Sequence, residues 1–140
     1  MKRRLFFTIA AALTFFAVAL NTDIYNETSP PSLAWHVLLR KIYSVGAFAL
    51  LGFLFTNLVH ACRRKISIMQ AAAAVGAYSA CIEVGQAYAG SHEGLAWNAF
   101  DTACGALGGA IGHVADQRLS GFRKKNLTPK EEDESNKQPR

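Results

Sequence analysis

The stretch from Leu95 to Ala115, LAWNAFDTACGALGGAIGHVA, is a membrane-length apolar run with a single acid, Asp101, set inside it. A helix needs about 20 apolar residues to cross the hydrocarbon core of a bilayer. A carboxylate at that depth is costly, and by default it marks a site or a buried partner. A second acid, Glu83, stands in a matching place near the end of the preceding apolar run. The reading of the whole chain turns on whether these two acids meet.

Working outward, the 140 residues are 51% hydrophobic and 18% charged with a formal net charge of +5, and the charges are segregated into short clusters and a tail. Between them lie apolar segments at residues 5–20, 42–61, 66–88 and 95–115. This pattern predicts an all-α protein, a polytopic bundle of four transmembrane helices. One membrane domain takes up residues 1–118, and a charged, disordered tail follows over residues 119–140, since a polar segment without apolar period cannot bury enough surface to fold. Basic residues beside apolar spans read as topology signals and contacts to anionic lipid, not as a nucleic-acid surface.

Direction follows from the cations. Lys2, Arg3 and Arg4 precede the first span, Arg63, Arg64 and Lys65 join the second to the third, and Arg118, Arg123, Lys124 and Lys125 follow the fourth. Four spans put all three clusters on one side, which the positive-inside bias assigns to the cytoplasm, so both termini are expected inside. The first run also fits a secretory signal peptide. The three spans behind it favour a retained anchor. The outer loop, Asn21 to Lys41, contains Pro30 and Pro31 and places Trp35 and His36 at the outer interface. Cys62, Cys81 and Cys104 show no metal-binding spacing and read as small apolar residues.

Small residues dominate the last two spans. Gly105 with Gly109 and Gly108 with Gly112 form two small-xxx-small pairs that let helix backbones approach closely. A tight pairing of the third and fourth spans is expected, with the Phe- and Leu-rich second span facing lipid. Glu83 lies five residues before Tyr88, roughly 7 to 8 Å below the outer end of its helix, and Asp101 six residues after Leu95, roughly 9 Å down. Gln86 is one turn beyond Glu83, and Lys41 opens the second span at the same boundary. Lys41, Glu83, Gln86 and Asp101 are therefore expected to converge in a polar pocket open to the outer leaflet.

At these residues the chain resembles the VanZ-like family of bacterial membrane proteins. The Glu-x-x-Gln of the family's third span is intact from Glu83 to Gln86, and its Asp/Gly fourth-span pattern appears as Asp101, Gly105, Gly108 and Gly112. Lys41 and Leu51-Gly52 keep part of the second-span motif, while Arg40, Ser44 and Phe48 replace its acid, histidine and tyrosine. Gly105 stands where the family usually has asparagine. The resemblance covers about Arg40 to Gly112 and is that of a divergent member. It implies an envelope role in a bacterial inner (cytoplasmic) membrane, with resistance to the glycopeptide teicoplanin a property of one branch.

Three functions fit these residues. The first is a non-enzymatic module binding an amphipathic ligand, such as a lipid-linked envelope precursor, with Lys41 on a phosphate or carboxylate. The second is a helix-packing partner with no ligand other than membrane lipid. The third is an enzyme acting on a lipid headgroup, with Glu83 or Asp101 as general base and His92 as a possible partner. No nucleophile motif is visible, no cofactor is expected, and Glu83, Asp101 and His92 fall short of a metal set.

Overall fold

The computed structural model describes residues 1–21, 36–88 and 95–127. They form four helices: α1 Lys2–Leu20, α2 His36–Ala61, α3 Ile68–Tyr88 and α4 Leu95–Leu127. No strand occurs among the described residues. Three helical segments, Lys2–Leu20, Lys41–Ala61 and Ile68–Tyr88, are long and apolar enough to cross a membrane.

Burial is inverted relative to a water-soluble bundle. Lys41, Thr56, Ser79, His113 and Asp116 are buried, whereas Phe6, Phe7, Leu13, Leu50, Leu107, Ile111 and Phe122 are exposed. Exposed apolar surface of this extent suits a lipid environment. α4 is the least apolar helix because it carries Asn98, Asp101, His113, Asp116 and five glycines. Cys104, Gly105, Gly108, Gly109, Gly112, His113 and Asp116 are buried, and Leu107, Ile111 and Val114 point outward.

α4 is the central helix, and its glycines divide into two stripes. A Cβ on Gly105 would strike Ser79, and one on Gly109 would lie 2.8 Å from the Ala71 carbonyl and 2.8 Å from Val75 Cβ, all on α3. A Cβ on Gly108 would fall 2.5 Å from Phe48 Cβ, and one on Gly112 would run into the backbone at Ala49 and Phe53, all on α2. Gly52 returns the approach, its missing Cβ 2.8 Å from Gly109 Cα. The expected tight pairing of the last two spans is therefore half of the arrangement. The second span is not chiefly lipid-facing, because Gly52 lets its Phe- and Leu-rich helix lie directly on α4. Phe48, Val75 and Ile82 form the apolar core, with Phe16, Ala19 and Tyr78 packed against it.

α1 is held differently. Only Thr8 is buried on it. Its ties run largely to backbone carbonyls: Tyr78 donates its hydroxyl to Ala12, and Gln86 Nε2 reaches Ala19 at 2.9 Å. From α1 itself, Arg4 reaches the Asn57 carbonyl at 3.3 Å, while the Thr8 hydroxyl donates to the Arg4 carbonyl of its own helix at 2.9 Å and lies 3.4 Å from that of Leu54.

Three expected boundaries move. α2 begins at His36, so residues 36–41, expected as loop, are helical; Pro30 and Pro31 lie at least five residues upstream and do not interrupt it. α3 begins at Ile68 behind a capping box, in which Gln70 N–H donates to Ser67 Oγ at 3.2 Å and Ser67 N–H donates to Gln70 Oε1 at 3.0 Å. α4 continues through Leu127, so residues 119–127, expected to be disordered, are helical, and residues 128–140 lie outside the described residues.

Gly112→Ala should cost about 1–3 kcal/mol in thermal or denaturant unfolding, since overpacking would force α2 and α4 apart. Gly121→Ala, where a Cβ meets nothing, should instead be neutral or stabilising by up to about 1 kcal/mol through helix propensity. Equal tolerance at both positions would mean that the α2–α4 backbone contact is absent in the membrane.

Candidate functional site

Two registers fix the level of every polar side chain. α2 and α4 run parallel: Lys41 meets Asp101, Phe48 faces Gly108, Gly52 faces Gly109, and Asn57 meets Asp116. α3 and α4 run antiparallel: Val75 faces Gly109 and Ser79 faces Gly105. The bundle thus has an end containing Lys41 and Asp101 and a basic end containing Arg4, His60 and Asp116.

At the first end the Lys41 ammonium is in direct contact with Asp101 Oδ1, joining the start of α2 to α4. Their side chains are only 9% and 14% exposed. The ammonium also lies 5.5 Å from the ring centres of both Trp97 and Phe100, inside the range of cation–π attraction. Those rings meet edge to face, 6.4 Å apart, and both are exposed on their outer sides. The backbone of Asp101 is fixed as well, since Ser79 Oγ donates to its carbonyl at 3.0 Å. One turn before Asp101, Asn98 Oδ1 is buried without a hydrogen-bond partner.

Of the residues expected to converge, Lys41 and Asp101 are therefore in contact. Glu83 is half-buried on α3, one turn beyond Ser79. Gln86 donates to the Ala19 carbonyl. It ties α3 to α1. His92 and Trp35 lie outside the described residues.

A second polar cluster occupies the basic end. Asp116, 1% exposed, accepts from Asn57 Nδ2 at 3.1 Å and pairs with His60 Nδ1 at 2.9 Å. His113, 2% exposed, places Nε2 2.9 Å from Gln117 Nε2, and its Nδ1 is buried without a partner. Thr56 Oγ1 is buried and unpartnered as well. Thr56 and His113 each lie one turn beyond the Gly52–Gly109 contact, so the parallel register sets them opposite one another. The sequence reading missed this cluster because it ended the fourth span at Ala115, one residue short of Asp116. The available signal was the stripe 101, 105, 108, 112, 116, on which Asp116 stands just as Asp101 does. Among the described residues no group of three His, Cys, Asp or Glu side chains is disposed to hold a metal ion.

Comparison with protein-family models, curated proteins and solved structures found no match.

Removing one member of the buried pair strands the other. Lys41→Met or Asp101→Asn alone should each cost about 3–5 kcal/mol, and the double variant should recover much of that loss. Unfolding of the three variants as a double-mutant cycle measures the coupling, and strictly additive costs would show that the pair does not hold α2 to α4.

Proposed function

We propose that this chain is a small multi-pass protein of a bacterial inner membrane, a divergent VanZ-like protein. In this reading all four helices span and both termini are cytoplasmic. Its outer end binds the anionic headgroup of an amphipathic envelope molecule, such as a lipid-linked precursor. The observation that carries the reading is the Lys41 ammonium, held by Asp101 at the rim and flanked by the exposed rings of Trp97 and Phe100. An ammonium has three donors and the Asp101 oxygen takes one, leaving others for a phosphate or carboxylate. Trp97 is an amphipathic ring of the kind found at membrane interfaces, and Phe100 extends it with an apolar face. The buried Asn98 Oδ1 adds an acceptor for a headgroup hydroxyl. α4 is accommodated as a fourth span because its polar groups turn toward α2 and α3 and its Leu107, Ile111 and Val114 turn outward.

The ion pair also bears on the alternatives. Asp101 as general base in a headgroup-cleaving enzyme would first have to part from Lys41, which argues against that role. A purely structural role is favoured by one fact, that Lys41 and Asp101 satisfy each other across the α2–α4 contact. The two readings separate under charge exchange. Lys41→Asp combined with Asp101→Lys should keep the protein folded but lose polyprenyl phosphate in native mass spectrometry of the detergent-solubilised protein. Retention of polyprenyl phosphate by Lys41→Met, at the wild-type level, would sink the ligand reading and leave the structural one.

Orientation has its own measurement. Reporter fusions after Ala61 and after Arg140 should report cytoplasm, and a fusion after Tyr88 the outside. A cytoplasmic signal from the Tyr88 fusion would reverse the assignment of the polar rim to the outer leaflet.

A further inference from the structure

The cluster around Asp116 is used by nothing in the reading above, and it lies on α4 fifteen residues from Asp101, roughly 22 Å along the axis. A carboxylate only accepts hydrogen bonds, so the His60 nitrogen facing it, Nδ1, carries the proton. Asn57 holds the other carboxylate oxygen. The imidazole is thereby fixed in tautomer and orientation, with Nε2 left for another partner. His60 is the penultimate residue of α2, and its side chain is 36% exposed although Asp116 beneath it is buried.

Cations lie near this ring in the chain and across the α1–α2 contact. Arg4 reaches the carbonyl of Asn57, one turn before His60, which brings the start of α1 to the same place. Arg63, Arg64 and Lys65 follow His60 directly in the chain and are exposed. α2 closes with Arg64 N–H donating to the Val59 carbonyl at 3.2 Å and Arg63 N–H to that of His60 at 3.0 Å. This is the Schellman arrangement, whose left-handed position is ordinarily given to glycine. Here it is Arg63, at φ 57°. A strained residue that also carries a charge beside an oriented histidine is a reason to look for a ligand. Behind the carboxylate, His113 Nδ1 and Thr56 Oγ1 are buried and unpaired, so the polar groups gathered here exceed what the α2–α4 contact consumes.

We propose that the basic end of the α2–α4 interface is a second ligand site, built for a phosphate group. His60 shares one proton between Nε2 and a phosphate oxygen, Asp116 positions the ring from behind, and Arg4 and Arg63 neutralise the phosphate. Guanidinium groups match phosphate oxygens in geometry as well as charge. The phosphate is that of a lipid headgroup in the adjacent leaflet or of a soluble compound reaching the same face. The site stands independently of the Lys41–Asp101 end.

The test uses the full chain in phosphatidylcholine nanodiscs, with phosphatidate in the disc as one probe and glycerol 3-phosphate in solution as the other. Binding of either probe supports the site, and which one binds identifies the source of the phosphate. His60→Gln and Arg63→Gly should each weaken that binding about tenfold or more, as expected for loss of a charge-assisted hydrogen bond. Arg63→Gly should leave thermal stability unchanged or raised, because glycine is at ease at positive φ. Lys65→Gln and Arg118→Gln remove the same charge elsewhere on this face and should change binding less than about twofold, as screened surface charges do. In Asp116→Asn, the 15N signature of the Nδ1–H tautomer of His60 should disappear and phosphate affinity should fall with it. The proposal is overturned if neither probe binds, if Lys65→Gln weakens binding as much as Arg63→Gly, or if affinity survives loss of the tautomer.

Discussion

The close backbone approach between α4 and its two neighbours is the constraint on which the rest depends. Side chains at Gly52, Gly105, Gly108, Gly109 and Gly112 would each intrude on a facing helix. Without them the helix axes draw together, and van der Waals contact supplies the attraction that apolar lipid cannot provide. This contact also fixes the two registers. Once Gly52 lies on Gly109, Lys41 is carried to Asp101 at one end and Asn57 and His60 to Asp116 at the other. The polar contacts are consequences of glycine packing, placed where the stripes run out. Each then adds directional specificity that a smooth glycine face lacks, because a shift by one residue would unpair both carboxylates.

That dependence explains what was legible in the sequence. The helices could be read because apolar length and flanking charge are local properties. Lys41 and Asp101 could be placed at one level because depth is counted along each span from its end. The partner of each glycine stripe could not be read, since Gly105/Gly109 and Gly108/Gly112 have the same spacing and differ only in azimuth. Azimuth is meaningful only once the neighbours are known, and α2, judged by its Phe and Leu content, looked like a lipid-facing helix until Gly52 was seen against Gly109. Asp116 was overlooked for a related reason. A hydropathy reading closes a span at the first charge near its end, whereas the buried stripe of α4 runs through that charge. The bond from Gln86 to α1 could not be read either, because α1 was treated as an anchor outside the bundle, while its carbonyls serve as acceptors for Gln86 and Tyr78.

α1 illustrates a second way of attaching a helix in a membrane. It buries almost nothing, so packing alone would hold it weakly. The Ala12 carbonyl, inside α1, has a second lone pair to offer, and the Ala19 carbonyl lies in the last turn, where carbonyls lack an intrahelical donor. Tyr78 and Gln86, whose polar ends would otherwise be stranded at membrane depth, find these acceptors on α1. The attachment is favourable because the alternative for those groups is poor, even though a single interhelical hydrogen bond in a membrane contributes only about 0.6–2 kcal/mol. The contacts of α4 with α2 and α3 do not pass through this helix, although Phe16 and Ala19 lie against their shared core.

The two polar ends belong to one bundle but do not form a continuous path. Between Asp101 and Asp116, α4 buries Cys104, Gly105, Gly108, Gly109 and Gly112 against α2 and α3. Their missing side chains are replaced by the neighbouring backbones themselves, at distances that leave no space for water between them. A proton or ion entering at His60 would meet Thr56 and His113 and then roughly three turns of close-packed helix. Alternating access normally requires repeats that rock about a central site, and here the centre is the tightest part of the molecule. The architecture is that of two separate polar clusters held apart by a glycine-packed middle, one at each end of the bundle. Any communication between them would require α2 to slide along α4, and the register set by Gly52 on Gly109 opposes that motion from within.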